Sequence, residues 1–170
     1  MPLPYEAHRN PTPPMCFVHN AWKSKAVLVS PQTATMATKQ QLQETMALSA
    51  GMISMIDDAI GDLLTTLKDT GLYDDTIVCF TSDHGDYLGD FGLLLKGAMP
   101  FRSITQVPMI WSDPADRGAR TTDALAATID LPATILDRVG IAPYFGMQAR
   151  SFLPVLNGIT GQHRDEIFIE

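Results

Sequence analysis

With 170 residues, 45% of them apolar and 18% charged, the chain has the make-up of a folded globular unit and the length to bury a core. A net charge of −7 offers no basic surface to nucleic acid or to an anionic membrane, and no apolar run approaches the roughly 20 residues that cross a bilayer. Neither nucleic acid nor membrane is therefore an expected partner.

The opening Met1-Pro2-Leu3-Pro4-Tyr5-Glu6 lacks the basic-then-apolar order of a signal peptide, which leaves a cytoplasmic location as the default expectation. Prolines 2, 4, 11, 13, 14 and 31 punctuate residues 1–39, where only Ala26-Val27-Leu28-Val29 resembles a short strand. We expect 1–39 to be an irregular segment and 40–170 to be one α/β region. Cys16 and Cys79 lie far apart and are expected as free thiols.

Residues 40–69 give the strongest helix signal. Leu42, Met46, Ser49, Ile53, Ile56, Ile60, Leu63, Leu64 and Leu67 recur at three- and four-residue steps, no proline interrupts them, and Thr70-Gly71 supplies a stop. Gly51 and Gly61 inside the helix suggest close packing against a sheet, though such glycines sometimes mark nothing, and Asp57 and Asp58 are expected to be solvated or locally hydrogen-bonded. After the polar turn Leu72–Asp75, the β-branched, apolar run 76–81 reads as a buried strand.

Val107-Pro108-Met109-Ile110-Trp111 reads as a second short strand, with its proline at an edge or at the strand's first residue. Asp113 to Arg120 reads as a surface loop, and Leu125 to Ile129 as a third short strand. Asp130 is expected to cap a helix with Pro132 in its first turn, Ile135, Leu136 and Val139 on its buried side, and Gly140 at its end. Pro143 to Gly161 is loop-rich, and Ile167-Phe168-Ile169 looks like a strand just beginning. The weakly structured start and the strand-like end suggest part of a larger domain.

The chemistry concentrates at Ser82-Asp83-His84-Gly85, where the strand ends, and at Lys96. A strand's carboxyl end is where open α/β sheets place ligands. Asp83 reads either as a hard oxygen ligand for a divalent metal or as a turn aspartate. His84 is a metal ligand, a donor to a substrate oxygen, an acid or base, or a structural histidine. Gly85 lets the backbone approach a ligand. Lys96 is either a point charge for a sulfate or phosphate oxygen or an ordinary lysine with a covered stem. Asp86 and Asp90 are expected as solvated loop carboxylates, and His8, His19 and His163 as surface or local structural residues.

Thr81-Ser82-Asp83-His84-Gly85, Leu88-Gly89-Asp90-Phe91-Gly92-Leu93 and Lys96-Gly97 resemble the sulfatase family of the alkaline phosphatase superfamily. The likeness continues through Val107–Ile110, Ile129–Asp137, Val139-Gly140-Ile141, Gly146–Pro154 and Arg164-Asp165-Glu166. It also takes in the helix with Ile56-Asp57 and Ile60-Gly61 that leads to Asp75-Thr76-Ile77-Val78.

The resemblance implies an alkaline-phosphatase-like α/β sandwich, present here in part, with a central mixed sheet flanked by helices. It further implies hydrolysis of sulfate monoesters, calcium (Ca2+) held by four side chains, and a formylglycine nucleophile made in a C-x-P-S-R type motif. Carried over residue by residue, Asp83 and His84 match the later pair of metal positions and Lys96 matches the sulfate-contacting lysine. Neither Cys16 nor Cys79 is followed by the Pro and Arg of the nucleophile motif. Phe91 stands where members commonly have histidine, and Ala149 where glycine is frequent before Arg-Ser.

Three functions follow as expectations. The first is a sulfuric ester hydrolase acting on a sulfated small molecule or glycan, inactive or nearly so as residues 1–170 alone. One carboxylate and one imidazole do not close a calcium shell, so Ca2+ is expected to bind weakly. The second is a phosphodiester or phosphonate monoester hydrolase of the same superfamily. The third is a non-catalytic half-domain that oligomerises or assembles with a separate N-terminal partner chain.

Overall fold

The computed structural model describes residues 38–97 and 99–169. The expectations for Ala26–Val29, Cys16, His8 and His19 lie outside the described residues. The chain forms two compact units, one holding the long helix together with His84–Pro108, the other Asp75–Asp83 together with Met109 onward. No helix among the described residues is long and apolar enough to cross a membrane.

In the first unit, helix α1 spans Lys39–Asp69. Its start is a capping box: the Thr38 hydroxyl accepts from the Gln41 amide, and the Gln41 side chain accepts from the Thr38 amide. Its end is Gly71 at φ 71°, the left-handed exit that the Thr-Gly pair foretold. Burial follows the expected stripe at the front of the helix, at Leu42 and Met46. Farther along, Ile53, Ile56 and Leu63 of that stripe are exposed, while Ile60, Leu64 and Leu67 are half-buried. Among the described residues the expected close packing at Gly51 and Gly61 does not occur, since an added Cβ meets nothing of them within 4 Å at either.

His84–Pro108 folds into a tight loop, with a 3-10 turn at Asp90–Gly92 and the short helix α2 at Arg102–Thr105. Its core is Tyr87, Leu93 and the Phe91–Phe101 pair, whose ring centroids are 4.2 Å apart.

In the second unit, β1 (Val78–Thr81) pairs antiparallel with β2 (Met109–Ser112), with Cys79 opposite Trp111 and Phe80 opposite Ile110. Pro108 immediately precedes β2, so its missing donor costs no ladder bond. Phe80 and Ile110 form the outward-facing cross-strand pair and are both exposed. Cys79 is a free thiol, and burial pushes its pKa up.

Helix α3 spans Asp130–Arg138 and α4 spans Leu153–Leu156. Four expectations are corrected in this unit. Leu125–Ile129 is not a strand; only Leu125 makes an isolated bridge, to Arg164. Asp130 is the first helical residue and not the cap, because its carboxylate is spent on the chain behind and beyond the helix. The buried side of α3 is Asp130, Ala133 and Thr134, whereas Ile135 and Val139 are exposed. Ile167–Phe168–Ile169 carries no strand in the structure.

Candidate functional site

Strand β1 ends at Thr81, and Asp83 stands two residues beyond it, exposed, with the Ser82 hydroxyl donating to Oδ1 at 3.4 Å. The expectation of a carboxylate delivered by a strand's end therefore matches the local geometry of the second unit.

His84 and Lys96 meet in the first unit. The Nδ1 of His84 lies 2.8 Å from the Gly85 carbonyl oxygen, and Nε2 lies 2.7 Å from Lys96 Nζ. A carbonyl only accepts, so the proton is assigned to Nδ1, and Nε2 is left with a lone pair that receives a proton donated by the Lys96 ammonium. The eleven residues between them are folded back to bring these two side chains together. The imidazole is half-buried and the lysine exposed, so the pair opens to solvent, where an anion can reach the ammonium.

Gly85 serves a different contact from the one expected. A Cβ there would lie 1.9 Å from the Ser103 carbonyl oxygen, and the Gly85 amide donates to the Ile104 carbonyl at 2.8 Å. The absent side chain admits backbone from α2, not a ligand. Asp86 is exposed as expected and accepts from the Leu88 amide at 2.7 Å. Asp90, expected to be solvated, is buried. Phe91 takes φ 54° and packs on Phe101.

The donors present suit a divalent cation in kind but not in number. His84 gives its Nδ1–H to a carbonyl and keeps the Nε2 lone pair, the arrangement common to metal-binding histidines, and a cationic ammonium occupies that lone pair here. Asp83 offers hard oxygens. Calcium takes six to eight oxygen ligands, and no cluster of three or more potential metal ligands occurs among the described residues. To ligate through Nε2, His84 has to give up its bond to Lys96.

The second unit holds two charge networks that the sequence did not announce. Asp130 is fully buried: its Oδ2 accepts from the Ala127 amide (3.2 Å), Arg164 Nε (2.7 Å) and His163 Nε2 (3.0 Å), and its Oδ1 accepts from the Arg150 amide (2.9 Å) and pairs with Arg164 NH2. Burial alone raises the pKa of this carboxyl, but the Arg164, Arg150, His163 and Ala127 hydrogen bonds outweigh it and hold the group well below the usual range. His163 is thus a structural histidine but not a surface one, with only 6% of its side chain exposed. The buried Thr134 hydroxyl extends the network by donating to the Asp130 carbonyl at 2.8 Å and accepting from the Phe152 amide at 3.0 Å.

Asp113, in the segment read as a surface loop, is buried against Arg138, whose hydrogen bonds pull its pKa down to about 2. A groove of about 1100 Å³ in this unit is bordered by Arg117, Arg120 and Arg138, yet all three guanidinium groups are already engaged. Arg138 holds Asp113, Arg120 holds Asp116, and Arg117 donates to the Ser112 hydroxyl.

Set against known proteins, residues 15–141 match the family model described as Sulfatase. An extracellular sulfatase SULF-1 homolog of Drosophila melanogaster is 33% identical over 104 residues, which cover 61% of this chain and 9% of that protein. The multifunctional alkaline phosphatase superfamily protein PehA of Trinickia caryophylli is 32% identical over 157 residues, 91% of this chain and 29% of its own length. Among solved structures, the phosphonate monoester hydrolase SpPMH of Silicibacter pomeroyi superposes with a TM-score of 0.75 at 27% identity, over 99% of this chain and 33% of that one. The chain therefore spans from 9% to 33% of the length of these three relatives.

Proposed function

The chain belongs to the sulfatase family of the alkaline phosphatase superfamily, and from that premise we propose that His84 and Lys96 serve the anionic group of a sulfuric ester undergoing hydrolysis. Asp83, the preceding residue in the chain, is read as a metal-binding carboxylate. The observation that carries the proposal is the 2.7 Å contact between Lys96 Nζ and His84 Nε2, an ammonium held at an exposed loop by an imidazole of fixed tautomer.

The chemistry assigned to these residues is charge neutralisation. An ester oxygen bound at Lys96 Nζ has its negative charge countered by a fixed ammonium, and charge that develops on it in the transition state is countered more strongly still. The Nδ1–H bond to the Gly85 carbonyl keeps the imidazole from rotating, so Lys96 retains one direction of approach. Asp83 would offer a hard oxygen to a calcium ion and His84 its Nε2 lone pair, and such an ion would supply positive charge to a bound anion.

A second reading inside the superfamily is favoured by one observation. One solved structure that overlaps nearly the whole chain is a phosphonate monoester hydrolase. Phosphonate monoesters and sulfate monoesters both present anionic oxygens to a lysine, so the two readings share the same pair of residues.

Titration of the chain with inorganic sulfate and with methylphosphonate, followed by the NMR signals of His84 and Lys96, tests both. Saturable shifts with sulfate, lost in Lys96→Met, are the expected result; shifts with methylphosphonate alone favour the second reading, and shifts with neither overturn the proposal. Residues 1–170 alone are expected to show no appreciable aryl sulfate turnover with calcium. Robust turnover abolished by Asp83→Ala would falsify that expectation.

A further inference from the structure

The loop that carries Lys96 contains three non-glycine residues with left-handed backbone: Leu88 at φ 46°, Phe91 at φ 54° and Leu95 at φ 60°. Such conformations persist only where neighbouring groups hold them. At Leu95, the residue before Lys96, the holding group is Tyr87, whose amide donates to the Leu95 carbonyl at 2.7 Å. On the other side of Lys96, the Tyr87 hydroxyl donates to the Met99 carbonyl at 2.9 Å and accepts from the Met99 amide at 3.0 Å. One residue thereby ties down the chain before and after the lysine.

The Tyr87 side chain is built for this task. Only 1% of the residue is exposed, and its ring meets Phe101 edge-on, with centroids 6.0 Å apart. Burial pushes the phenol's pKa up, so the proton donated to Met99 stays in place. A hydroxyl that both donates and accepts satisfies one backbone donor and one acceptor with a single oxygen, which phenylalanine cannot do. Tyr87 also stands three residues after His84, so the segment leaving His84 and the segment holding Lys96 are joined through it.

We propose that Tyr87 is a positioning residue, gripping Leu95 and Met99 so that the Lys96 ammonium meets His84 Nε2 instead of sampling solvent. The proposal rests on the reading of His84 and Lys96 as the anion-contacting pair. An exposed lysine on an unrestrained loop loses much rotamer freedom when it settles on one partner, and the grip removes the backbone part of that loss beforehand.

The test compares wild type, Tyr87→Phe, Lys96→Met and Phe101→Leu at one neutral pH in chelator-treated buffer. His84 imidazole 15N signals report whether Nε2 is accepting a hydrogen bond, and inorganic sulfate is the titrant. Tyr87→Phe, which frees Met99 but keeps the amide bond to Leu95, is expected to move the Nε2 signal part of the way toward the position seen in Lys96→Met and to weaken sulfate binding. Phe101→Leu, which loosens the ring but leaves the hydroxyl bonds, is expected to lower the melting temperature while leaving the His84 signals in place.

Wild-type His84 signals in Tyr87→Phe overturn the proposal, as does a Phe101→Leu variant that shifts them equally. Should Tyr87→Phe fail to fold, amide exchange in the wild type decides: a protected Met99 amide supports the grip, and exchange at the unprotected rate refutes it. If wild type binds no sulfate, the anion-binding reading falls, while the His84 signals still report on Tyr87.

Discussion

Replacing Arg164 by methionine isolates the buried charge in the second unit, because methionine keeps an unbranched apolar stem while removing the guanidinium. Asp130 is fully buried and would lose both hydrogen bonds from Arg164, one of them from Nε at 2.7 Å. Bonds to charged groups are worth about 1.5–3 kcal/mol each. The carboxylate keeps the Ala127 and Arg150 amides and His163, so the cost falls at the low end of that sum. We expect about 3 kcal/mol, within the ~3–5 kcal/mol found when one partner of a buried pair is removed. For a chain of this size that is a fall in Tm of roughly 6–12 °C.

The pH dependence follows from the direction of the shift. Asp130 has its folded pKa held below the ordinary carboxylate value, so its stabilisation is present above the unfolded pKa of about 4 and is lost as pH falls toward the folded value. In Arg164→Met the folded pKa moves up. The gap between wild type and variant is therefore full at pH 7 and narrows below about pH 5. Urea denaturation followed by circular dichroism across that range measures it. A loss under about 1 kcal/mol at pH 7, or a gap constant into acid, refutes the assignment of Asp130 as a charge held chiefly by Arg164.

Two further outcomes follow from close contacts. Gly85→Ala places a Cβ 1.9 Å from the Ser103 carbonyl oxygen, so backbone must shift, at a cost of about 1–3 kcal/mol and with displaced His84 signals. An alanine variant with unchanged melting and unchanged His84 signals would show that α2 does not approach so closely. Arg138→Ala removes the hydrogen bond that chiefly holds Asp113 at about 2, so the Asp113 carboxyl, followed by 13C NMR, should titrate near the ordinary carboxylate value. Wild type should lose stability as pH falls from about 4 toward 2, and this acid limb should flatten in the variant; an unmoved Asp113 titration contradicts the pairing.

Local chemistry made much of the frame legible. The helix at Lys39–Asp69 could be read because its signals are all within a few residues of one another: the three- and four-residue apolar steps and the Thr-Gly stop. Strand β1 and its polar end could be read for the same reason, but not its expected burial: Phe80 is exposed and Val78, Cys79 and Thr81 are half-buried. What failed were inferences about which face is covered. Ile53, Ile56 and Leu63 lie on the correct stripe of α1 and are nevertheless exposed, since a period says that residues share a face and not what packs on it. The apolar run Leu125–Ile129 has strand-forming residues but gains only one bridge, because a strand needs a partner ladder that the run itself does not contain.

The candidate site divides in the same way. The sequence alone determined the chemical inventory: a carboxylate, an imidazole and a glycine at a strand's end, a lysine downstream, and the family to which that order belongs. Only the tertiary structure decided that Lys96 folds back onto His84 Nε2, that Gly85 makes room for the Ser103 carbonyl, and that Tyr87 grips the chain on both sides of the lysine. Only the structure, too, showed Asp130 gathering Arg164 and His163 from more than thirty positions away. Propensity and periodicity act between near neighbours in the chain, whereas these contacts are set by where a loop closes and which groups lose their water together.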